Sequence, residues 1–281
     1  MNVLARFTLQ EALRRRVFIV VAVLTLGFLV LYGLGVWQAF KIADDLGSGF
    51  AGVDPIVVTG ATMFGLAMFG TLFLGVVLAV FLTLGAVRGD AERGLLQPLV
   101  VRPVTRRTLL LSRLVAAGGV SAVYVVAVYV IAMLETGLIG GWWPDHPVTP
   151  AIALGLGVVI VTALALVGSV FLASTANGIA IFMAFGAGLT AGLLGQIGRA
   201  LGSHTLTKVA DVTSYGLPFE ALYQAALSEL TANTVGFTRF ALQLGPLGGA
   251  REAGIGLWLW ALAYLAAVVA IGVAAFDRRD L

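Results

Sequence analysis

The sequence predicts an all-α polytopic membrane protein. It has six transmembrane helices, an N-terminal cytoplasmic interfacial helix, and outer re-entrant or interfacial helices between spans five and six. Three observations carry that prediction. Of 281 residues, 60% are hydrophobic and 11% charged, whereas a soluble domain carries about a quarter charged residues. The apolar residues are gathered: Asp, Glu, Lys and Arg are absent from 17–40, 55–87, 114–134, 146–198 and 253–276. The basic residues, finally, collect on alternate connections between these stretches.

Each element follows from local pattern. A helix crosses the hydrocarbon layer in about 20 residues and pairs its own backbone groups while doing so. In residues 1–16, Arg6, Gln10 and Arg14 form a polar stripe with Val3 and Phe7 away from it. That spacing suits an amphipathic helix on the cytoplasmic leaflet, with a loose basic tail as the alternative. The first span, 17–40, outruns the roughly 7–15 residues of a signal-peptide core and is read as uncleaved. The second, 56–87, starts at Asp54-Pro55, a cap followed by proline at the first helical position. A cytoplasmic loop, 88–108, leads to a third span at 109–139, with Thr105 as its cap. The stretch 146–198 is too long for one crossing, and Ser174-Thr175-Ala176-Asn177-Gly178 carries turn chemistry. It therefore divides into spans at 151–173 and 178–198. An outer segment, 199–253, and a last span, 254–276, complete a single transmembrane domain, 1–281.

Charge sets the orientation. With both termini cytoplasmic, 12 of the 17 basic residues face the cytoplasm, while nine of the 14 acidic residues face outward. All five tryptophans (Trp37, Trp142, Trp143, Trp258 and Trp260) fall at outer boundaries. The formal net charge of +3 thus records topology, and the partner it indicates is the lipid bilayer, with no nucleic acid.

Two connections carry more than topology. In Arg88–Arg107, a short helix over Asp90–Gln97 exposes Leu95 and Leu96 beside Glu92 and Arg93. Pro98 ends it and Pro103 extends the chain, which makes either a docking knob for a cytosolic partner or an ordinary solvated loop. In the outer segment, Pro218 and Glu220 open a helix on which Phe219, Leu222, Tyr223, Ala226, Leu227 and Leu230 form one apolar stripe. Glycines add two patterns. Gly188, Gly192, Gly195, Gly198 and Gly202 line one face of span five, marking a close helix–helix contact such as one between two copies of the protein. Gly60, Gly65, Gly70 and Gly75 recur every five residues and so spiral around span two, which implies tight packing or flexibility.

Several chemistries are excluded. Cysteine is absent, so there is no disulfide, thiolate metal site or cysteine nucleophile. His146 and His204 lie in outer loops without metalloprotease spacing. Glu135 is the best candidate for an ionisable group inside a span, and its place beside Trp142 and Trp143 suits an interfacial carboxylate. The two lysines, Lys41 and Lys208, follow Phe40 and Thr207, so no P-loop exists. Any ATP-driven work requires another polypeptide. No catalytic, cofactor-binding or metal site is expected in this chain.

Glu92-Arg93-Gly94, then Leu99 and Pro103-Val104-Thr105-Arg106 ahead of span three, resemble the membrane subunit of ABC-2-type ABC transporters. That family carries Glu-x-Gly-Thr-Leu-Glu, a Leu-rich turn and Pro-Val-Ser-Arg there. Gly94, Leu96, Leu99, Pro103, Val104 and Arg106 fall in register, while Leu95 and Gln97 replace the usual threonine and glutamate. The ends, Glu11–Arg16 and Phe276–Leu281, are also similar.

The resemblance implies a permease, most often an exporter of lipidic or hydrophobic solutes, working as a dimer with a second copy or homologue. ATP and Mg would be held by a cytosolic ATP-binding subunit. That subunit would dock on a coupling helix including Asp90, Glu92, Arg93, Gly94, Leu95, Leu96, Pro103 and Arg106, with Ser174–Gly178 as a further contact. The permease-dimer contact would fall at Gly188, Gly192 and Gly195, and Pro218, Phe219, Leu222 and Tyr223 would form an outer gate helix. The 15 arginines among 17 basic residues suggest a prokaryotic cytoplasmic membrane. The alternative is an ATP-independent secondary transporter or channel, which would require inverted repeats or buried ionisable residues.

Overall fold

The computed structural model describes residues 17–46, 53–84, 106–234, 238 and 254–278. Eight α-helices occur among them: α1 (Val17–Leu46), α2 (Pro55–Thr83), α3 (Arg106–Gly140), α4 (Val148–Phe171), α5 (Ser174–Ala200), α6 (His204–Gly216), α7 (Pro218–Ser228) and α8 (Ile255–Asp277). All but α6 and α7 are long and apolar enough to cross a membrane, which makes six spans. The expected interfacial helix at 1–16 and most of the loop at 88–108 lie outside the described residues.

The helix boundaries have local causes. Asp54 caps α2, its Oδ1 accepting from Ile56 N at 3.0 Å and Val57 N at 3.4 Å, and Pro55 opens the helix. α3 ends at Gly141, whose φ of +67° is costly for any residue with a Cβ. One sequence expectation is corrected. The break in 146–198 exists, but it is the turn Leu172–Ala173, and Ser174–Gly178 forms the first turn of α5. Asn177 explains this: its Nδ2 donates to Ala165 O of α4 at 2.8 Å. The polar residue therefore ties two helices together at their junction instead of sitting in a solvated loop.

Two spans are central. Of the most apolar stretch of each helix, 67% is buried in α2 and 61% in α4, against 11% in α1 and 22% in α8. Phe64, Met68 and Leu72 of α2 pack with Tyr129 of α3 and with Leu154, Val158 and Ile160 of α4. The glycine spiral of α2 makes this possible. Five residues advance about 140° around a helix, so each glycine meets a different neighbour. Gly60 receives the Trp142 ring, Gly70 receives Phe28 of α1, and Gly75 receives Val125 of α3. The carbonyl of Gly65 accepts from the Tyr223 hydroxyl of α7 at 3.2 Å. Close packing of this kind replaces the hydrophobic drive that lipid cannot supply.

Polar pairs between spans supplement it. Tyr32 and Thr136 hydroxyls meet at 2.5 Å between α1 and α3, as do those of Thr25 and Tyr124.

Candidate functional site

The two ends of the bundle differ. At the end carrying the α4–α5 turn, the start of α3 and the end of α8 are clamped by Arg107 Nε donating to Asp277 Oδ2 at 2.8 Å. Phe171, Leu172 and Ala173 are exposed there. Leu84, the last described residue after α2, lies beside Gly178 at the start of α5. The start of α3 at Arg106 stands at this end as well. The residues expected to couple to an ATP-binding subunit, Asp90, Glu92, Arg93, Gly94, Leu95, Leu96 and Pro103, lie outside the described residues. Arg106 is the first residue of α3.

At the opposite end the chain folds back into the bundle. After α5, Gly202 takes φ +63° and reverses the direction, so it terminates the glycine series instead of extending the seam. α6 then runs antiparallel to α5 against that seam. A Cβ at Gly198 would stand 2.9 Å from Leu206 Cβ, and one at Gly195 would stand 3.0 Å from Ala210 Cβ. Gly192 faces Glu220 and Gln224, and a Cβ at Gly188 would lie 2.8 Å from Phe219 Cζ. The close contact marked by Gly188, Gly192 and Gly195 is thus made with α6 and α7 of the same chain.

Leu217 and Pro218 turn the hairpin. The residue before a proline is driven from the α region, and Leu217 is accordingly at φ −132°, ψ 72°. Phe219 then lies against Gly157, nine residues into α4 and hence about 14 Å below its end. Phe219 and Leu222 are fully buried, and Phe219 stacks on Phe185 with centroids 5.5 Å apart. Tyr223 reaches across to α2 through the hydrogen bond to Gly65. The stripe read from the sequence is therefore the face that α7 inserts between α2, α4 and α5. The chain climbs back to the α3–α4 turn, where Asp145 N and His146 N donate to the Leu230 and Glu229 carbonyls at 3.2 and 3.3 Å. His146 Nδ1 and Glu229 Oε2 meet at 2.7 Å beside them.

Sequence reasoning missed the polar side of this hairpin. Glu220 is 3% exposed and accepts from Ser214 Oγ at 3.0 Å. Glu220 and Gln224, both buried, share an α7 edge at i, i+4 spacing, and the glycines of α5 opposite them were the only signal. Glu135 instead lies against Gly33 of α1, five residues from the end of α3, or about 8 Å.

Six apolar helices, with a helical hairpin inserted from one end and the α4–α5 turn at the other, define a multi-pass membrane protein with an α-helical core. The chain belongs to the ABC-2 family transporter proteins, whose family model matches residues 3–281. No curated protein matches it.

Proposed function

We propose that the chain is the permease subunit of an ATP-driven exporter in a prokaryotic cytoplasmic membrane, with both termini cytoplasmic. The observation that carries this reading is the family match, which extends through the loop between α2 and α3. A membrane subunit of that family is not itself the ATPase, in keeping with the lack of a P-loop. ATP and Mg belong to a separate cytosolic subunit. That subunit docks on Asp90, Glu92, Arg93, Gly94, Leu95, Leu96, Pro103 and Arg106, beside the Arg107–Asp277 clamp and the exposed Leu172–Ala173 turn. Closure of the nucleotide subunits pushes on α3 and the α4–α5 turn together and rocks the bundle.

A second permease copy completes the transporter. Because α6 and α7 already occupy the seam at Gly188, Gly192 and Gly195, that copy meets α5 through this layer. The hairpin tip at Pro218, Phe219, Leu222 and Tyr223 gates the outer side.

Co-purification with an ATPase, and transport by the reconstituted pair, tests the reading. Gly94→Val and Pro103→Ala are expected to leave ATP hydrolysis running while transport falls by about tenfold or more. Normal ATPase binding and transport after charge reversal at Asp90, Glu92 and Arg93 would overturn the docking role. Transport that persists in vesicles without ATP would favour the secondary transporter. Single cysteines at Thr105 and Asp211 are expected to react with an impermeant thiol reagent from opposite faces.

A further inference from the structure

Between the hairpin and the spans α5 and α8 lies a cavity of about 610 Å³, within the usual size range of small-molecule sites. Its walls carry charged and polar side chains from three helices. α7 contributes Glu220 and Gln224, α6 contributes Asp211 and Ser214, and α5 contributes Arg199. Two carboxyl groups thus face one guanidinium. Gln224 is 9% exposed, and its Oε1 has no hydrogen-bond partner, which leaves an acceptor at this wall for an N–H or O–H donor.

Gly192 and Gly195 line the same space. A Cβ on Gly192 would collide with the Glu220 carboxylate, so the glycine gives the acid its position. At the rim stand two aromatic rings, Tyr215 and Trp260, packed edge to face with centroids 6.2 Å apart. The indole is held by Trp260 Nε1 donating to Tyr215 O at 3.1 Å. Both rings are exposed, as are Val212 of α6 and Leu259 of α8 beside them.

These features select a ligand class. With two carboxyl groups to one guanidinium, the walls disfavour a ligand of net negative charge. An unpartnered amide oxygen calls for a hydrogen-bond donor, and aromatic faces attract an ammonium ion. The volume exceeds that of an ammonium group, and the rim opens on exposed apolar residues that suit an alkyl tail. We propose that this cavity binds the ammonium head of an amphiphile, with Glu220 and Gln224 receiving the cation and the Tyr215–Trp260 pair flanking its entry from the lipid. The amphiphile is either an ethanolamine phospholipid, whose phosphate Arg199 receives, or a free lipophilic amine. Binding needs no nucleotide, so it stands or falls separately from the ATP-coupled reading.

The full-length chain in detergent tests this by native mass spectrometry. Dodecylamine is compared with dodecanol, and dioleoylphosphatidylethanolamine with dioleoylphosphatidylglycerol. The expected result is an advantage of about tenfold or more for the ammonium compound in at least one pair. An advantage confined to the phospholipids identifies the lipid headgroup as occupant. One confined to dodecylamine identifies a lipophilic amine, and one in both pairs identifies the ammonium head alone as sufficient. Glu220→Gln is expected to remove most of that advantage. Trp260→Leu, at an exposed position that leaves the buried packing intact, is expected to reduce it about threefold to fivefold. Equal binding within each pair, or an advantage untouched by both variants, would overturn the proposal.

Discussion

Helices α1 and α2 are nearly equal in length, at 30 and 29 residues. Both are free of charge through their central turns, and both contain several glycines. Yet 11% of the apolar stretch is buried in α1 and 67% in α2. The glycines show the difference most directly. In α2, Gly60, Gly70 and Gly75 each take a side chain from a different neighbour. In α1, Gly27 and Gly35 have nothing within 4 Å. Apolarity qualifies a helix for the bilayer but does not separate a face toward lipid from a face toward protein. What sets α2 apart from α1 is that its small residues serve as sockets for several different neighbours.

The largest test of this contrast is a paired substitution. Gly60→Leu or Gly75→Leu forces a branched side chain into the space held by Trp142 or Val125, and is expected to cost about 3 kcal/mol or more. Gly27→Leu is expected to change stability by less than about 0.5 kcal/mol. Thermal unfolding of the purified variants distinguishes the two, and equal losses would erase the distinction between α1 and α2.

A smaller effect is expected where the central helix α4 meets α5. Asn177→Leu removes the donor to Ala165 O and places a larger side chain against Gly168, where Asn177 already leaves no room for a Cβ. The expected loss is about 1–3 kcal/mol, visible as a lower unfolding temperature. Tyr32→Phe deletes a hydroxyl at the α1–α3 contact. Its expected cost is about 0.6 kcal/mol, the average for hydrogen bonds between spans. The smallest effect is that of Arg107→Ala. The guanidinium is 70% exposed, and solvent screening holds its pairing with Asp277 to about 0.5 kcal/mol or less. A stability change well above that would mean the α3–α8 clamp holds more of the bundle than its exposure implies.

The sequence made much of the bundle legible. Charge-free runs marked the six spans, Asp54-Pro55 marked the start of α2, and Pro218 marked the start of α7 with the stripe on its buried face. Turn composition at Ser174–Gly178 pointed to the right neighbourhood but the wrong residues, because Asn177 spends its side chain on Ala165 across the junction. The seam at Gly188, Gly192 and Gly195 announced a close contact without naming the partner, since a small residue admits any helix of suitable shape. Glu220 showed a similar limit. In sequence it is a first-turn acid beside an apolar stripe, and its burial with Ser214 and Gln224 depends on α5 presenting glycine opposite it.

What the sequence determined alone is the number of crossings and most of their ends. The hydrocarbon layer demands a fixed length of apolar helix with its backbone groups paired internally, and that demand is satisfied one segment at a time. Which span is central, which chain segment fills the glycine seam, and that a hairpin carries a carboxylate into the bundle were decided by the tertiary structure. Between spans there is no hydrophobic difference left to read, and the outcome rests on whether particular surfaces fit.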